Sequence, residues 1–211
     1  MYDESYMRYR NIRTMAWELL IRHEVKELPV DVIGIAEKLA VKVLSYDNAE
    51  ELIMTCALET LRTSNDAFSL YTDRWYILFD AERETQRFAI AHELAHILLK
   101  HTTAKKKIGV FTAYHSTWNR DEPTMRAEEQ EANRFAVRLL APACVIRHLR
   151  QRDAHSIAML CGLPRREAFE RAERMDKLIA KGNFLIQNEE ARVYEQFETF
   201  LTMREDLFVH E

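Results

Sequence analysis

Two histidines and a glutamate near the middle of the chain have the types and spacing of a metal-dependent hydrolytic site. They lie in the segment His92-Glu93-Leu94-Ala95-His96. The surrounding run, residues 88–99, has no Gly or Pro and is rich in apolar helix formers, which predicts a buried helix. Residues four apart lie on one side of a helix, so the two imidazoles can share a metal ion while the carboxylate reaches a water molecule. This is the pattern of two zinc ligands and a general base.

A catalytic zinc ion needs a third protein ligand, and the candidates are carboxylates on a second predicted helix that ends near residue 140. Glu128 and Glu129 lie near the apolar face of that helix, whereas Glu131 lies about 110° from its centre and is expected to be solvated. Asn133 follows Glu129 by one turn and can accept a hydrogen bond from a metal-bound imidazole. Glu129 is therefore the predicted ligand, with Asn133 orienting a histidine and Glu128 as the alternative. His101 is expected to face elsewhere.

The elements that must position these residues follow from periodicity and turn signals. We expect helices over residues 8–23, 30–40 and 50–61, a short strand over 41–46, and a hairpin of strands 67–72 and 75–79. Asp80 is expected to cap the metal helix, which should run to about Lys100. Residues 102–124 show no period and predict a long functional loop. Helices continue beyond Pro142, which is the predicted boundary between residues 1–142 and a helical extension, residues 143–211.

Composition and charge favour a soluble intracellular protein. Of the 211 residues, 47% are hydrophobic and 30% charged, and the net charge of −4 gives no global attraction to nucleic acid or anionic membranes. No run approaches the ~18 apolar residues of a membrane span, and the N-terminus lacks the pattern of a secretory signal. Three cysteines, Cys56, Cys144 and Cys161, are widely spaced in apolar surroundings. They are expected to be buried thiols in a reducing cytoplasm.

Two segments resemble the ImmA/IrrE family of zinc metallopeptidases. They are Arg87-Phe-Ala-Ile-Ala-His-Glu-Leu-Ala-His-Ile-Leu-Leu99 and Glu129-Gln-Glu-Ala-Asn-Arg-Phe-Ala-Val-Arg-Leu-Leu-Ala-Pro142. Their order also resembles the wider glutamate-zincin arrangement. The resemblance covers about residues 30–142, and departs from the family at Ala95, where Gly is frequent, and Ala141, where Met is frequent. It implies an α+β, mainly helical zincin-like metallopeptidase domain with a small β-sheet, followed by the helical C-terminal extension.

The resemblance also implies the activity and the partner. His92, His96 and Glu129 would bind Zn²⁺ and Glu93 would be the catalytic base of a zinc metalloendopeptidase. The family implies a bacterial or phage protein in the cytoplasm, whose substrate is a helix-turn-helix repressor of stress-response or mobile-element genes.

Several points stay open from the sequence. Tyr114, His115 and Tyr76 are candidate donors to the oxyanion. A regulatory module that binds a repressor without cleaving it is the alternative function. Residues 154–169 have a helix–Gly–helix rhythm that would suit DNA binding. Acidic residues interleave with the basic ones of the second helix, however, so no direct nucleic-acid binding is expected.

Overall fold

A computed structural model gives the structure of residues 4–101, 111–113, 123–149, 152–182 and 187–207. It confirms a mainly helical α+β fold. In chain order the elements are α1 Glu4–Arg22, α2 Val32–Lys38, β1 Lys42–Ser45, a 3-10 helix Asp47–Ala49, α3 Glu50–Thr55, α4 Glu59–Ser64, β2 Ala67–Tyr71, β3 Trp75–Phe79, α5 Gln86–Leu98, β4 Phe111–Ala113, α6 Pro123–Leu140, α7 Ala143–Ile146, α8 Ala154–Cys161, α9 Arg165–Lys181, α10 Asn188–Gln196 and α11 Glu198–Leu207.

The chain divides into two compact units. The α/β unit is Asp31–Ala136, and the helical unit combines Met1–Val30 with Val137–Glu211. The sequence-based division placed the N-terminal helix with the metal helices. In the structure α1 packs against α10, and the Gln196 side chain donates hydrogen bonds to the carbonyls of Leu20 and Val25 at 3.2 and 3.1 Å. These bonds satisfy acceptors at and just beyond the end of α1, so the helix belongs with the C-terminal helices.

A four-stranded sheet forms the centre of the α/β unit, in the order β1-β3-β2-β4. Strands β2 and β3 form the predicted antiparallel hairpin, and β1 pairs with β3 in parallel. Strand β4 pairs antiparallel with β2 in the middle of the region predicted to be a loop. A three-residue strand is too short to show an alternating pattern in the sequence.

The two faces of the sheet are covered by different helices. Phe68 and Leu70 of β2 belong to an apolar cluster with residues of α3 and of the segments beside it. Ser69 lies between them in the sequence and points to the opposite face, where its hydroxyl meets a side chain of α5. Seven consecutive residues of α5, 90–96, are buried, so this helix is enclosed nearly all round, as its composition predicts.

Two predicted helix boundaries are wrong for local reasons. The helix expected over residues 50–61 is split into α3 and α4, because Ala57 adopts a left-handed conformation with φ 53° between them. Asp80 does not cap α5. Its side chain accepts a hydrogen bond from the Glu82 amide at 3.0 Å, and α5 begins only at Gln86.

Helix α5, which carries His92 and His96, ends in a Schellman motif. The amide of Lys100 donates to the Ile97 carbonyl at 3.3 Å, and the amide of His101 donates to the His96 carbonyl at 3.0 Å. Lys100 supplies the left-handed turn with φ 55°, a conformation that glycine usually adopts at this position. The helix therefore stops at Leu98, and the chain folds back over its last turn.

Pairs of helices pack together in the helical unit, where α8 lies against α9 and α7 against α10. Asp153 caps α8, and Gly162, with φ 65°, ends it before α9 begins. On α9 the side chains of Arg166 and Glu170 form an exposed ion pair at 3.1 Å, as expected for a solvated helix. Among the described residues, no helix is long and apolar enough to cross a membrane.

Candidate metal centre

His92, His96 and Glu129 lie close together in the α/β unit. The Nε2 atoms of the two histidines are 3.0 Å apart, and the Glu129 carboxylate lies 3.4 Å from Nε2 of His92 and 3.6 Å from Nε2 of His96. Two ligand atoms of a tetrahedral zinc ion with bonds of 2.0–2.1 Å would be about 3.4 Å apart. The three separations therefore match the spacing that one zinc ion requires. Both histidines are buried, while Glu129 is half-buried, so a fourth position can face solvent.

The hydrogen bond behind the His92 ring fixes where the proton of that ring lies. Nδ1 of His92 lies 2.8 Å from Oδ1 of Asn133, which can only accept, so this nitrogen carries the proton. The Nε2 lone pair of a neutral His92 then points toward Glu129. Two imidazole lone pairs and a carboxylate converging on one point repel one another unless a cation lies between them. The donor chemistry thus fits a bound metal ion.

The structure distinguishes between the two neighbouring carboxylates that the sequence offered. Among the described residues, Glu129 joins the two histidines in a set whose ligand atoms all lie within 4.8 Å of one another, and Glu128 does not. Burial, partly offset by His101, raises the pKa of Glu128, and the negative charges of Glu131 and Glu129 add to the rise. Asn133 contacts His92, one of the two histidines between which the sequence argument left its partner open.

Glu93 is held by a residue that the sequence argument missed. The hydroxyl of Ser69 on β2 donates to Oε2 of Glu93 at 2.8 Å, and both side chains are almost fully buried, at 0% and 1% exposed. The sheet thereby fixes the carboxylate of the residue that directly follows His92 in the sequence. A serine inside the apolar strand Ala67-Phe-Ser-Leu-Tyr71 was the available signal, because a buried hydroxyl needs a partner.

His101 and Glu131 lie next to the metal cluster, which comprises His92, His96 and Glu129. The sequence argument expected His101 to face elsewhere and Glu131 to be solvated. Nδ1 of His101 is 3.2 Å from Nδ1 of His96, and Nε2 of His101 is 3.1 Å from Oε2 of Glu131. The expectation for His101 assumed that the helix continued, whereas the Schellman motif turns this side chain back. The expectation for Glu131 counted only the apolar face of its own helix and so could not include a histidine from another segment.

Of the three candidate oxyanion donors, Tyr76 lies among the described residues, and the structure does not bring it to the cluster. Tyr76 pairs with Leu70 across the hairpin and therefore faces away from Ser69 and Glu93. Its hydroxyl donates to Asp73 at 3.2 Å, and its ring packs on the apolar cluster of the other sheet face. Tyr114 and His115 lie outside the described residues.

A helix with two histidines and a second helix with a glutamate, placed so that they could hold one metal ion, together with a small sheet, are consistent with a zincin-like metallopeptidase fold. Residues 49–173 match the family model of peptidases described as the IrrE N-terminal-like domain. This match covers more than half of the chain, and the chain belongs to that family. The matched segment contains the metal cluster and Glu93, which supports a metallopeptidase and, with it, a protein substrate. No curated protein matches the chain.

Proposed function

We propose that this protein is a zinc metalloendopeptidase that hydrolyses a peptide bond in a protein substrate. Two observations carry the proposal: His92, His96 and Glu129 converge on one point, and the carboxylate of Glu93, on the same helix as the two histidines, is buried and hydrogen-bonded. These groups lie on helices of a peptidase-family domain, which is the context that separates a catalytic centre from a chance cluster of polar residues.

Zinc is the metal that best suits this set of ligands. Two imidazoles and one carboxylate, with no thiolate, are the ligands of catalytic zinc in metallopeptidases, where a fourth position stays open for water. Calcium and magnesium prefer sites made of oxygen ligands. The half-buried Glu129 leaves room for that open position.

The chain's own residues divide the chemistry between them. A bound zinc ion supplies a Lewis acid that lowers the pKa of water toward ~7 and polarises the substrate carbonyl. Glu93 takes the proton of the attacking water and then delivers it to the leaving amine. Ser69 holds one oxygen of Glu93, so the carboxylate keeps its direction during both transfers. Tyr114 and His115 remain candidates for a second donor to the carbonyl oxygen.

The resemblance to the ImmA/IrrE family supports a helix-turn-helix repressor as the substrate, in the cytoplasm of a bacterium or in a phage-encoded system. Cleavage would release stress-response or mobile-element genes from repression. The alternative is that the protein regulates such a repressor by contact alone. A buried, hydrogen-bonded Glu93 favours the enzyme, because a contact regulator has no use for a positioned base.

The Glu93→Gln variant separates the two functions. The Ser69 hydroxyl can donate to the glutamine carbonyl as it does to the carboxylate, so we expect the variant to fold and to bind zinc. Loss of the base should reduce cleavage by 10²–10⁴-fold. The native protein, the Glu93→Gln variant and a Glu128→Gln control are each co-expressed with a candidate helix-turn-helix repressor and with a reporter of its repression. Mass spectrometry then identifies fragments.

A peptidase predicts cleavage and derepression by the native protein and the control, and neither by Glu93→Gln. Derepression by Glu93→Gln equal to that of the native protein, with the partner intact, contradicts the peptidase mechanism and supports regulation by contact.

A further inference from the structure

A chain of hydrogen bonds extends from the buried His96 to the buried His101 and on to the half-buried Glu131. We propose that His101 and Glu131 are positioning residues that hold His96 in the tautomer and orientation required to bind zinc. The proposal rests on the proposed function, since it takes His96 as a zinc ligand.

The donors and acceptors of this chain allow one arrangement of protons when His101 is neutral. Glu131 as a carboxylate can only accept, so Nε2 of His101, 3.1 Å away, carries a proton. Nδ1 of His101 then has a lone pair and accepts from Nδ1 of His96 at 3.2 Å. His96 is therefore protonated at Nδ1, and its Nε2 lone pair points at Nε2 of His92 and at Glu129.

Burial makes the loss of either of these hydrogen bonds costly. His101 is 7% exposed and His96 is 7% exposed, while 19% of the Glu131 side chain is exposed. Water therefore does not readily replace either bond when it is lost, and the field of the carboxylate is weakly screened. A carboxylate acting through an imidazole makes the ligand nitrogen more basic, as carboxylates behind zinc-bound histidines do.

The backbone places His101 for this role. In a Schellman motif the residue after the left-handed turn returns to the side chain three positions before the helix cap, and the two usually make an apolar contact. His101 and His96 occupy these two positions, joined by the amide-to-carbonyl bond of 3.0 Å. Here the contact is between two polar rings.

The two histidine ligands are thus supported differently. His92 donates to the neutral amide oxygen of Asn133. His96 donates to His101, which in turn donates to the carboxylate of Glu131. Removing Glu131 should change zinc binding only through His101. The two substitutions should therefore not be additive, and a double-mutant cycle, which compares the double variant with the sum of the single effects, detects this.

The experiment measures the zinc dissociation constant of the full chain by competition with a chromogenic chelator. The variants are His101→Phe, Glu131→Gln and the double substitution, and the control is Glu128→Gln. Glu128 is a carboxylate on the same helix whose charge interacts with His101 and Glu131 but which is not a member of this hydrogen-bonded chain, so the control separates loss of a nearby charge from loss of the hydrogen bonds. Thermal unfolding of the zinc-free proteins shows whether each variant is folded, and Glu131→Gln, with its nearly unchanged shape, remains informative should His101→Phe fail to fold.

We expect each single substitution to weaken zinc binding 10- to 100-fold. The double variant should bind as weakly as His101→Phe alone, and Glu128→Gln should bind like the native protein. Native affinity in folded His101→Phe or Glu131→Gln would overturn the positioning role while leaving the metallopeptidase intact. So would equal weakening by Glu128→Gln, or fully additive effects in the double variant. Failure of the native protein itself to bind zinc would overturn the proposed function as well.

Discussion

The hydrogen bond from Ser69 to Glu93 gives a stability prediction that does not require a substrate. Replacing Ser69 with Ala removes a donor 2.8 Å from a buried carboxylate. Hydrogen bonds to charged groups contribute about 1.5–3 kcal/mol. The alanine also removes a buried hydroxyl, whose desolvation opposes folding, so we expect the lower half of that range, about 1.5–2 kcal/mol less stability.

The size of the loss should depend on the charge of Glu93. In a Glu93→Gln background the partner is neutral, and a neutral hydrogen bond contributes about 0.5–1.5 kcal/mol. The same Ser69→Ala change should then cost about 1 kcal/mol or less. Ser64→Ala is the matched control, because Ser64 is exposed at the end of α4. That change should alter the stability by no more than about 0.5 kcal/mol.

The assay is urea unfolding of zinc-free protein in the presence of a chelator, followed by circular dichroism and tryptophan fluorescence. A Ser69→Ala variant as stable as the native protein would refute the reasoning that this bond holds Glu93. An equal loss in the two backgrounds would show that the effect comes from packing of the serine, without a contribution from the carboxylate.

Two further predictions concern a histidine partner and the thiols. Asn133→Ala should weaken zinc binding 10- to 100-fold because His92 loses its acceptor, whereas Asn133→Asp, which keeps an acceptor oxygen, should bind at least as tightly as Asn133→Ala by the same chelator competition. Burial, together with the negative charge of Glu190 and despite Arg171, raises the pKa of Cys144 to about 12, so at pH 8 roughly one thiol in 10⁴ is ionised. Peptide mapping after brief alkylation of native protein should find the half-buried Cys56 modified well before Cys144, and comparable modification of both would contradict the burial of Cys144.

The parts of the site that sequence predicts are those set by helical periodicity within one element. His92 and His96 share a face because they are four residues apart, and Glu129 and Asn133 share a face for the same reason. Periodicity does not say which helices meet; the pairing of the two helices was inferred because a catalytic zinc ion needs a third ligand, and the family resemblance agreed with it. The hairpin was predictable from two β-rich runs flanking a turn.

The missed residues depend on backbone reversals and on contacts between distant segments. His101 reaches His96 only because Lys100 adopts a left-handed conformation. Lysine rarely adopts this conformation, so the sequence does not predict it here. Ser69 contacts Glu93 because β2 packs against α5. The sequence indicates such a contact only by a polar residue within an apolar strand. Cys56, expected to be buried, is half-buried: it is the C-cap residue of α3 and packs at the edge of the apolar cluster.

The measurement that tests the central claim most directly is the zinc content and zinc affinity of three proteins purified without a histidine tag: native, Glu129→Gln and Glu128→Gln. If His92, His96 and Glu129 hold the metal, elemental analysis should give one zinc ion per native chain. Glu129→Gln should lose zinc or bind it far more weakly, and Glu128→Gln should retain it at native affinity. Undiminished zinc binding in a folded Glu129→Gln variant would contradict the assignment of the third ligand. A native protein that binds no zinc would contradict the metal centre itself.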